Sequence, residues 1–396
     1  MFRLRAAVAV ACAMLLTAAC GSSGPPGDAA RIKVELVAAD AAPVARAVNK
    51  FGFDLFREVD RKETNTVTSP LSVAVLLAMV SAGADGDTAA ELARVLGLRE
   101  GQDERVGALL RELADTEDVT LSVSDALYND GPLTDDYTDF VKRSFGATVE
   151  QADLGSADTA KKIDDWVDEN TGGRITGIAR ELGLPSAQAV LVLLNAVYFL
   201  GKWQNEFSIT RDERFTTPAG PVTVPTMHHP GGSYDYAERD GFRMLRLPYG
   251  EKGRYGMEII LSEGGETAGA ADWQSLSSAL APREFEDIAL PKFELRWQAE
   301  LNEPLQKLGL KSAFDAGTAN FRPMSPDGRW LELVYHKTYI RVDEKGTEAA
   351  GVTGGVMATS AQVNPAVFRA DRPFQFTISD RETGTIVFLG AVRDPR

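Results

Sequence analysis

Cysteine is nearly absent from this chain of 396 residues, and both cysteines, Cys12 and Cys20, lie within the first twenty positions. A disulfide framework needs several cysteines spread through the fold, so the body of the chain must be stabilised without one. With 44% hydrophobic residues, the chain is long enough to bury a large core. The same shortage excludes zinc sites built from paired cysteines.

Histidine and the usual catalytic motifs are also scarce. The chain has three histidines, with no Gly-x-Ser-x-Gly turn, no His-Glu-x-x-His helix and no Gly-x-x-x-x-Gly-Lys loop. His228 and His229 are adjacent, so their side chains point in different directions, and we expect them in a surface loop rather than at a metal. The sequence therefore predicts neither an enzyme nor a site for a metal or cofactor.

Positive charge is in deficit. The 57 acidic residues outnumber the 42 lysines and arginines, and the net charge is −15 at pH 7. Such a surface repels phosphate groups and acidic lipid headgroups. We therefore expect no nucleic-acid partner.

The first nineteen residues are typical of an export signal. Arg3 and Arg5 precede an apolar run from Ala6 to Leu16. That run is shorter than the ~20 residues of a transmembrane helix. The sequence predicts that residues 1–19 are a signal peptide.

The residues around the signal's end resemble a bacterial lipoprotein site, Thr17-Ala18-Ala19-Cys20. The resemblance implies that Cys20 is lipidated and becomes the new N-terminus. Residues 20–43 are rich in Gly, Ser, Ala, Asp and Pro and would form a flexible tether. We expect an exported protein, extracellular or in the cell envelope, that contacts the outer face of the membrane only through this lipid.

One stretch lacks both charge and bulk. From Thr347 to Val363, Glu348 is the single charge and Met357 the single large side chain. The preceding residues, Leu331–Val342, have the β-branched and aromatic alternation of a strand. Small residues cannot hold the stretch in a core, yet Thr and Val favour extended structure and no proline interrupts it. The sequence predicts a loop in one state and a strand in another.

Several short motifs resemble those of the serpin family and follow each other in the family's order. They are Asn65–Val73, Leu193–Trp203, Leu290–Phe293, Asp343–Gly351, Phe368–Phe374 and Phe388–Gly390. The likeness extends from about Pro43 to Pro395. It implies an α+β fold of three β-sheets with eight or nine helices, formed by residues 44–396, with an exposed reactive-centre loop at about residues 344–367.

The resemblance also implies a function. Inhibitory serpins have a hinge of small residues, matched here by Glu344, Gly346, Thr347, Glu348, Ala349, Ala350 and Gly351. A target protease would cleave the loop and be trapped as an acyl-enzyme when the freed loop inserts into the main sheet. We expect a monomeric inhibitor of serine proteases, and the alternative is a non-inhibitory serpin that acts as a binding or chaperone-like protein.

Two positions compete for the scissile bond. Counting forward from the hinge gives Ser360-Ala361, whereas counting back from Phe368 gives Gln362-Val363. We favour Ser360-Ala361, because insertion length is set from the hinge side. Its small uncharged surroundings imply elastase-like or subtilisin-like targets, with a papain-like cysteine protease as an alternative.

Polar residues of the family's main sheet are matched as well. Ser69, Ser72, Asn195 and His336 correspond to the shutter, a set of hydrogen-bonded side chains beneath the sheet that controls its opening. Trp203 corresponds to the breach, where the loop enters. A hydroxyl, an amide and an imidazole satisfy one another in few arrangements, so a half-satisfied set would be costly.

Local patterns predict several elements directly. Helices are expected where Val44, Val48, Phe51, Leu55 and Val59 recur, from Ser69 as N-cap to Val80, from a Thr88–Glu91 capping box to Gly97, and from Ile163 to Asn170. Strands are expected at Val190–Phe199, Met244–Pro248, Met257–Ser262 and Ile288–Leu295. Helices early and strands late indicate an α+β protein.

Overall fold

A computed structural model describes residues 38–99, 103–114, 116–117, 119–187, 189, 191–327, 330–347 and 366–396. Its helices are α1 Ala38–Val59, α2 Pro70–Ala82, α3 Gly86–Leu96, α4 Asp103–Ala114, α5 Asp135–Phe145, α6 Ala157–Asn170, α7 Ile178–Glu181, α8 Ala270–Ala279 and α9 Asn302–Lys307, with a 3₁₀-helix at Ser312–Phe314. Its strands are β1 Thr66–Thr68, β2 Val119–Asn129, β3 Thr148–Gln151, β4 Leu191–Lys202, β5 Ile209–Thr217, β6 Gly220–His229, β7 Gly232–Arg239, β8 Phe242–Pro248, β9 Tyr255–Ser262, β10 Ala281–Pro291, β11 Phe293–Glu300, β12 Tyr335–Asp343, β13 Gly346–Thr347, β14 Ala366–Arg369, β15 Phe374–Asp380 and β16 Ile386–Val392. Within these ranges, no helix combines the length and the apolar character that a membrane span requires.

The first two helices follow their sequence signals. Helix α1 begins at Ala38, six residues before the expected domain start at Val44, and buries the predicted apolar stripe except Val59, which is half-buried. Helix α2 starts as predicted, with Ser69 accepting a hydrogen bond from the Ser72 amide and Pro70 in the first turn. Because α2 is apolar on every side, it is buried almost throughout, beneath the sheet that carries β4.

The predicted capping box of α3 is wrong. The helix begins at Gly86, and the Asp85 side chain caps it. Glu91 instead accepts hydrogen bonds from the backbone amides of Lys311 and Ser312, at 2.7 and 2.8 Å. A contact from a distant loop has taken the acceptor that the local motif would have used. The predicted end is confirmed, since Gly97 is left-handed with a φ of +66°.

Six strands form the sheet that carries the predicted hinge, in the order β11-β12-β13-β4-β2-β3. Its longest ladder joins β2 and β4 from Val119 opposite Gly201 to Asn129 opposite Leu191. Val197 and Phe199 on one face enter the main core with α2. On the opposite face Leu194 packs in one hydrophobic cluster with Ile163 and Val167 of α6. The sheet therefore lies between α2 and α6.

The remaining strands form a ten-stranded sheet in the order β1-β16-β15-β9-β8-β7-β10-β6-β5, with β14 parallel to β10. Strand β10 pairs with β7 through its first half and with β6 through its second half. Strand β10 thus joins the strands on its β7 side and those on its β6 side into one sheet. Followed by hydrogen bonds, the structure therefore has two continuous sheets where three were expected. The expected α+β architecture is confirmed, with nine α-helices among the described residues.

Two predicted strands have different bounds. The run Ile288–Leu295 is not one strand, because the ladder stops at Lys292 and the chain passes from β10 in one sheet to β11 in the other. The hinge strand begins at Tyr335 rather than Leu331. The preceding amide of Val334 donates to the Asn302 side chain, at 2.8 Å, instead of to a neighbouring strand.

An ion pair between Arg393 and Asp60 joins the C-terminal strand to the end of α1. Two guanidinium nitrogens donate to the two carboxylate oxygens at 2.8 and 2.6 Å, and the side chains are 7% and 9% exposed. Breaking such a pair from one side leaves a buried charge without compensation. We therefore expect the pair to matter for the stability of the fold, unlike an ion pair exposed at the surface.

We expect Arg393→Ala to lower the free energy of unfolding by about 3–5 kcal/mol, measured by urea unfolding of the full chain, because Asp60 stays buried and unpaired. The matched control is Arg396→Ala. Its pair with Asp394 is also 2.6 Å long, but Arg396 is 58% exposed, so the expected change is below ~1 kcal/mol. Equal effects of the two substitutions would contradict the burial argument.

Candidate functional site

The hinge enters the six-stranded sheet as a strand of two residues. Gly346 and Thr347 form β13, which pairs antiparallel with Asp343 and Val342 of β12 on one side. On the other side it pairs with Lys202 and Gly201 of β4. Within the described residues, β4 and β12 share no ladder with each other, although Cα atoms of the two strands approach within 8 Å. Beyond Thr347, these two parallel strands border a position in the sheet that we call the slot.

Gly346 fits this position because it has no side chain. Its φ is +149°, and a Cβ atom there would lie 2.0 Å from the carbonyl oxygen of Gly201. Any other residue would clash with the backbone of β4 and adopt an unfavourable φ. The resemblance identified Gly346 as part of the hinge, and the close approach to β4 supplies the physical reason.

Thr347 is anchored by an aromatic stack. Its side chain is buried, and its hydroxyl shares a hydrogen bond of 2.6 Å with the Tyr249 hydroxyl. Tyr249 stacks on Trp203 with ring centroids 4.4 Å apart. The Trp203 indole nitrogen donates to the carbonyl of Asp343 at 2.9 Å, at the end of β12. The predicted breach residue Trp203 therefore touches both sides of the hinge, whereas Tyr249 carried no local signal and was missed.

Glu344 holds the turn that leads into β13. Its carboxylate accepts hydrogen bonds from the Thr210 hydroxyl at 2.5 Å and from the Lys292 ammonium at 3.0 Å. Burial acts to raise the pKa of Glu344, but these hydrogen bonds outweigh it and leave the pKa below its ordinary value. The hinge is thus tied to β5 and to the junction of β10 and β11.

The four predicted shutter residues lie together beneath the slot. His336 Nε2 accepts a hydrogen bond from the Ser69 amide at 3.0 Å, and Ser69 Oγ accepts one from the Ser72 amide at 3.3 Å. The Ser72 hydroxyl donates to Asn195 Oδ1. We call this set of hydrogen-bonded residues, together with Asp125 described next, the polar chain. It runs from His336 on β12 through the start of α2 to Asn195 on β4.

A fifth member of the polar chain was not predicted. Asn195 Nδ2 donates to Asp125 Oδ1 at 2.7 Å, and Asp125 is 3% exposed on β2. The sequence gives one indication of a buried polar site here, because Asp125 is a charged residue inside the run Val119–Tyr128 and its neighbours are apolar or small. Its partner is seventy residues away in the sequence, so that signal alone could not show what Asp125 contacts.

Burial determines the charge of His336. Desolvation lowers the pKa of this imidazole to about 4, and its Nε2 atom already accepts a hydrogen bond from the Ser69 amide. A protonated ring would lose that acceptor. His336 is therefore neutral at physiological pH, with the proton assigned to Nδ1 by the hydrogen-bond pattern.

The expectation that His228 and His229 lie in a surface loop is wrong. Both belong to β6, and His228 is 6% exposed. Its ring lies between the carboxylates of Asp287 and Glu213, each 3.0 Å from a ring nitrogen. Because successive side chains of a strand point to opposite faces, one histidine of this adjacent pair is buried, which the loop prediction did not anticipate. Within the described ranges, no three or more His, Cys, Asp or Glu side chains are arranged to hold a metal ion.

The same two carboxylates bind the strand that follows the reactive loop. Arg369 of β14 is hydrogen-bonded to Glu213, and its other guanidinium nitrogen lies 3.7 Å from Asp287. Strand β14 also pairs in parallel with β10 from Phe285 to Ala289. The residue after the loop is therefore held by both backbone and charge, as the hinge before it is.

Part of the predicted site lies outside the described residues. This applies to the hinge residues Glu348, Ala349, Ala350 and Gly351, to both alternatives for the scissile bond, Ser360-Ala361 and Gln362-Val363, and to Cys20.

Comparison with known proteins decides the family. The family model for serpins, described as serine protease inhibitors, matches residues 46–395. The chain belongs to the serpin family. An uncharacterized serpin-like protein of Thermococcus kodakarensis is 37% identical over 377 residues, which cover 89% of this chain and 86% of that protein.

Two further relatives agree with this assignment. A serine protease inhibitor of Cyanea capillata is 32% identical over 357 residues, covering 84% of this chain and 93% of that protein. The native structure of tengpin, a thermophilic serpin, has a TM-score of 0.80 at 26% identity and covers 89% of this chain and 94% of that one. Serpins are in general protease inhibitors rather than enzymes and bind target proteases, although some members do not inhibit.

The depressed pKa of His336 predicts a loss of stability in acid. The unfolded chain binds a proton near pH 6.5 but the folded chain only near pH 4. Stability from this group is complete above pH 6.5 and is lost as the pH falls towards 4. Urea unfolding at pH 7.5 and 4.5 should show the wild type losing about 2–3 kcal/mol relative to His336→Gln. Between pH 7.5 and 8.5 their difference should stay constant, and a constant difference down to pH 4.5 would refute the prediction.

Proposed function

We propose that this serpin inhibits serine proteases as a suicide substrate, by inserting its cleaved reactive loop into the slot between β4 and β12. The observation that carries the proposal is the position of β13. Its two residues already pair with both bordering strands, so the next residues need only continue the same antiparallel ladder. The protease supplies the nucleophile, and this protein supplies the cleavable loop and the sheet position that the loop would enter when β4 and β12 part.

The register of β13 defines where an inserted loop would lie. Continuing the pairing from Thr347 puts each following residue between one residue of β12 and one of β4. On that register an inserted Thr353 would lie between His336 and Asn195. The entering strand therefore passes directly over the polar chain, whose ends stand on the two sides of the slot.

Insertion has a substantial driving force. About fourteen new residues in a sheet, at roughly 0.5–1.5 kcal/mol net per hydrogen bond, contribute on the order of 10 kcal/mol. This is comparable to the stability of a whole domain. It is large enough to displace and distort a protease that is still bonded to the loop.

The proposed targets follow from the side chains around Ser360-Ala361, which are small and uncharged. Proteases with small apolar pockets, of the elastase and subtilisin types, fit this loop, and a papain-like cysteine protease is the second class. Gln362-Val363 is the alternative scissile bond. Incubation with a panel of these proteases, followed by gel electrophoresis in SDS and mass measurement of the released C-terminal peptide, identifies both the target class and the bond.

We expect Thr347→Arg to abolish the SDS-stable complex while leaving loop cleavage intact. Thr347 is already seated in the sheet and 1% exposed, so a charged side chain would displace β13, from which insertion starts, because burying it has a large desolvation cost. Thr347→Ser is the matched control, because it keeps the hydroxyl that bonds Tyr249. Full inhibition by the arginine variant would refute the insertion mechanism. Cleavage of the wild type without a complex, and without a gain in heat stability, would instead favour a non-inhibitory binding role.

We further propose that the protein is an exported monomer, anchored at the outer face of a membrane through a lipid on Cys20. The support is the signal-like composition of residues 1–19 and the lipoprotein-like sequence before Cys20. A diacylated cysteine holds a protein to a membrane far better than a single chain does.

Cys20→Ser should release the protein from the membrane fraction into the soluble exported fraction, because no acceptor for the lipid remains. The measurement is cell fractionation together with labelling by a tagged fatty acid. Cys12→Ser serves as the control, since Cys12 lies within the predicted signal peptide and should not affect labelling. Continued labelling of the Cys20→Ser variant would exclude the proposed anchor site.

A further inference from the structure

Asp125 is a buried carboxyl group whose hydrogen-bonding capacity is largely unused. It lies on β2 directly opposite Asn195 of β4 and is 3% exposed. Oδ1 accepts the hydrogen bond from Asn195, but Oδ2 has no partner among the described residues. An ionised carboxylate offers about four acceptor sites. The charged form of Asp125 would therefore be poorly stabilised in this position.

The groups packed around Asp125 do not offset a negative charge. Ser72 of α2 and Asn195 of β4 are uncharged, and His336, at the far end of the polar chain, is neutral above about pH 4. Burial raises the pKa of Asp125 to about 7, and the hydrogen bond from Asn195 offsets this only in part. At slightly acidic pH, Asp125 is thus neutral in the closed sheet.

Another buried carboxyl group, Glu258, has partners that oppose the effect of burial, although desolvation still raises its pKa above the ordinary value. Its oxygens accept hydrogen bonds from Thr377 and Ser379, and the Arg246 guanidinium lies 3.2 Å away. Asp125 has none of these partners. Asp125 is similarly buried, so a negative charge there is stabilised by fewer partners than a charge on Glu258 would be.

The polar chain connects Asp125 to the opening of the slot. It runs from Asp125 and Asn195 on the β4 side to His336 on the β12 side. A loop that enters on the register of β13 passes between Asn195 and His336, so the two ends must part. Because Asn195 links Asp125 to Ser72 of α2, a shift of β4 relative to α2 would change the contacts that bury Asp125.

We propose that Asp125 is a proton-dependent restraint on the six-stranded sheet, neutral while β4 and β12 are held together and releasing its proton to solvent when they part. The sign follows from linkage. The pKa is higher in the closed state than in the hydrated open state, so Asp125 favours closure most at low pH. This contribution is lost as the pH rises through about 7. Opening of the slot becomes easier as the solution turns neutral and alkaline.

Asp125 is a positioning residue in this proposal and touches neither loop nor protease. Its effect on the rate of inhibition rests on the proposed function. Its effect on sheet opening does not, and can be measured without any protease.

The test is hydrogen exchange of the full-length protein between pH 5.5 and 8, read by mass spectrometry on peptides from β4 and β12 and corrected for the intrinsic pH dependence. Wild type is compared with Asp125→Asn at each pH. In the closed state His336 stays neutral across this range, but a hydrated His336 in the opened state would bind a proton near pH 6.5; its effect has the opposite sign and cancels in the ratio. We expect the ratio of wild-type to variant opening constants to rise about tenfold or more from pH 5.5 to 8. A ratio constant within about twofold would overturn the proposal.

Two controls locate the effect. Glu258→Gln removes a buried carboxyl of the other sheet and should leave the pH profile of β4 and β12 as in wild type. If it flattened that profile as much as Asp125→Asn does, the assignment to Asp125 would be wrong. Asp125→Ser, which is also uncharged, replaces the asparagine variant if the latter does not fold.

Infrared difference spectroscopy tests the protonation state directly. At pH 5.5 the wild type should show a protonated carboxyl band that Asp125→Asn or Asp125→Ser lacks, and this band should disappear by pH 8. Its absence at pH 5.5 would overturn the proposal. Failure here is distinct from failure of the proposed function. If the protein traps proteases but its exchange ratio does not change with pH, only the proposed restraint is refuted. If it inhibits no protease but shows the expected pH profile, the restraint stands and the proposed function is refuted.

Discussion

The seating of Thr347 between β12 and β4 is the interaction on which the rest of the site depends. It brings the start of the reactive loop into the sheet and leaves the slot beyond it bordered by two parallel strands. Gly346 permits the close approach, since any side chain would strike the backbone of β4. The Tyr249 hydroxyl and the Trp203 stack then hold the threonine in place. The loop begins from a defined register rather than from a free end.

The polar chain beneath the slot has a different physical character. Separating apolar side chains leaves no polar group unpaired, whereas breaking hydrogen bonds between buried polar groups leaves donors and acceptors unpaired at a high free-energy cost. Here the links run from Asp125 on β2 to His336 on β12, beneath the slot. Both ends are titratable groups whose burial disfavours the charged form. A fall in pH therefore has opposite effects at the two ends of the polar chain: it favours the neutral form of Asp125 and disfavours the neutral form of His336.

Much of this arrangement could be predicted from local sequence. The Ser69 cap, the buried helix α2 and the strands around Leu191 and Tyr255 depend on residues within a few positions of one another. The family resemblance added the set of shutter residues, and the structure brings all four together. The strands β5 to β7 escaped prediction because their exposed faces carry many polar residues, which weakens the apolar signal of a strand.

The sequence by itself determined several helices and strands, the resemblance to the family and the run of small residues after Thr347, because periodicity, caps and motifs are properties of neighbouring residues. Only the tertiary structure decided that Asp125 meets Asn195, that Tyr249 meets Thr347 and that His228 is buried between two carboxylates. Those partners are 70 and 98 residues apart in the first two pairs. A contact across that distance depends on sheet register and packing, which no local pattern encodes. The break of one apolar run into β10 and β11 has the same cause, since the two sheets, rather than the residues at Lys292, require it.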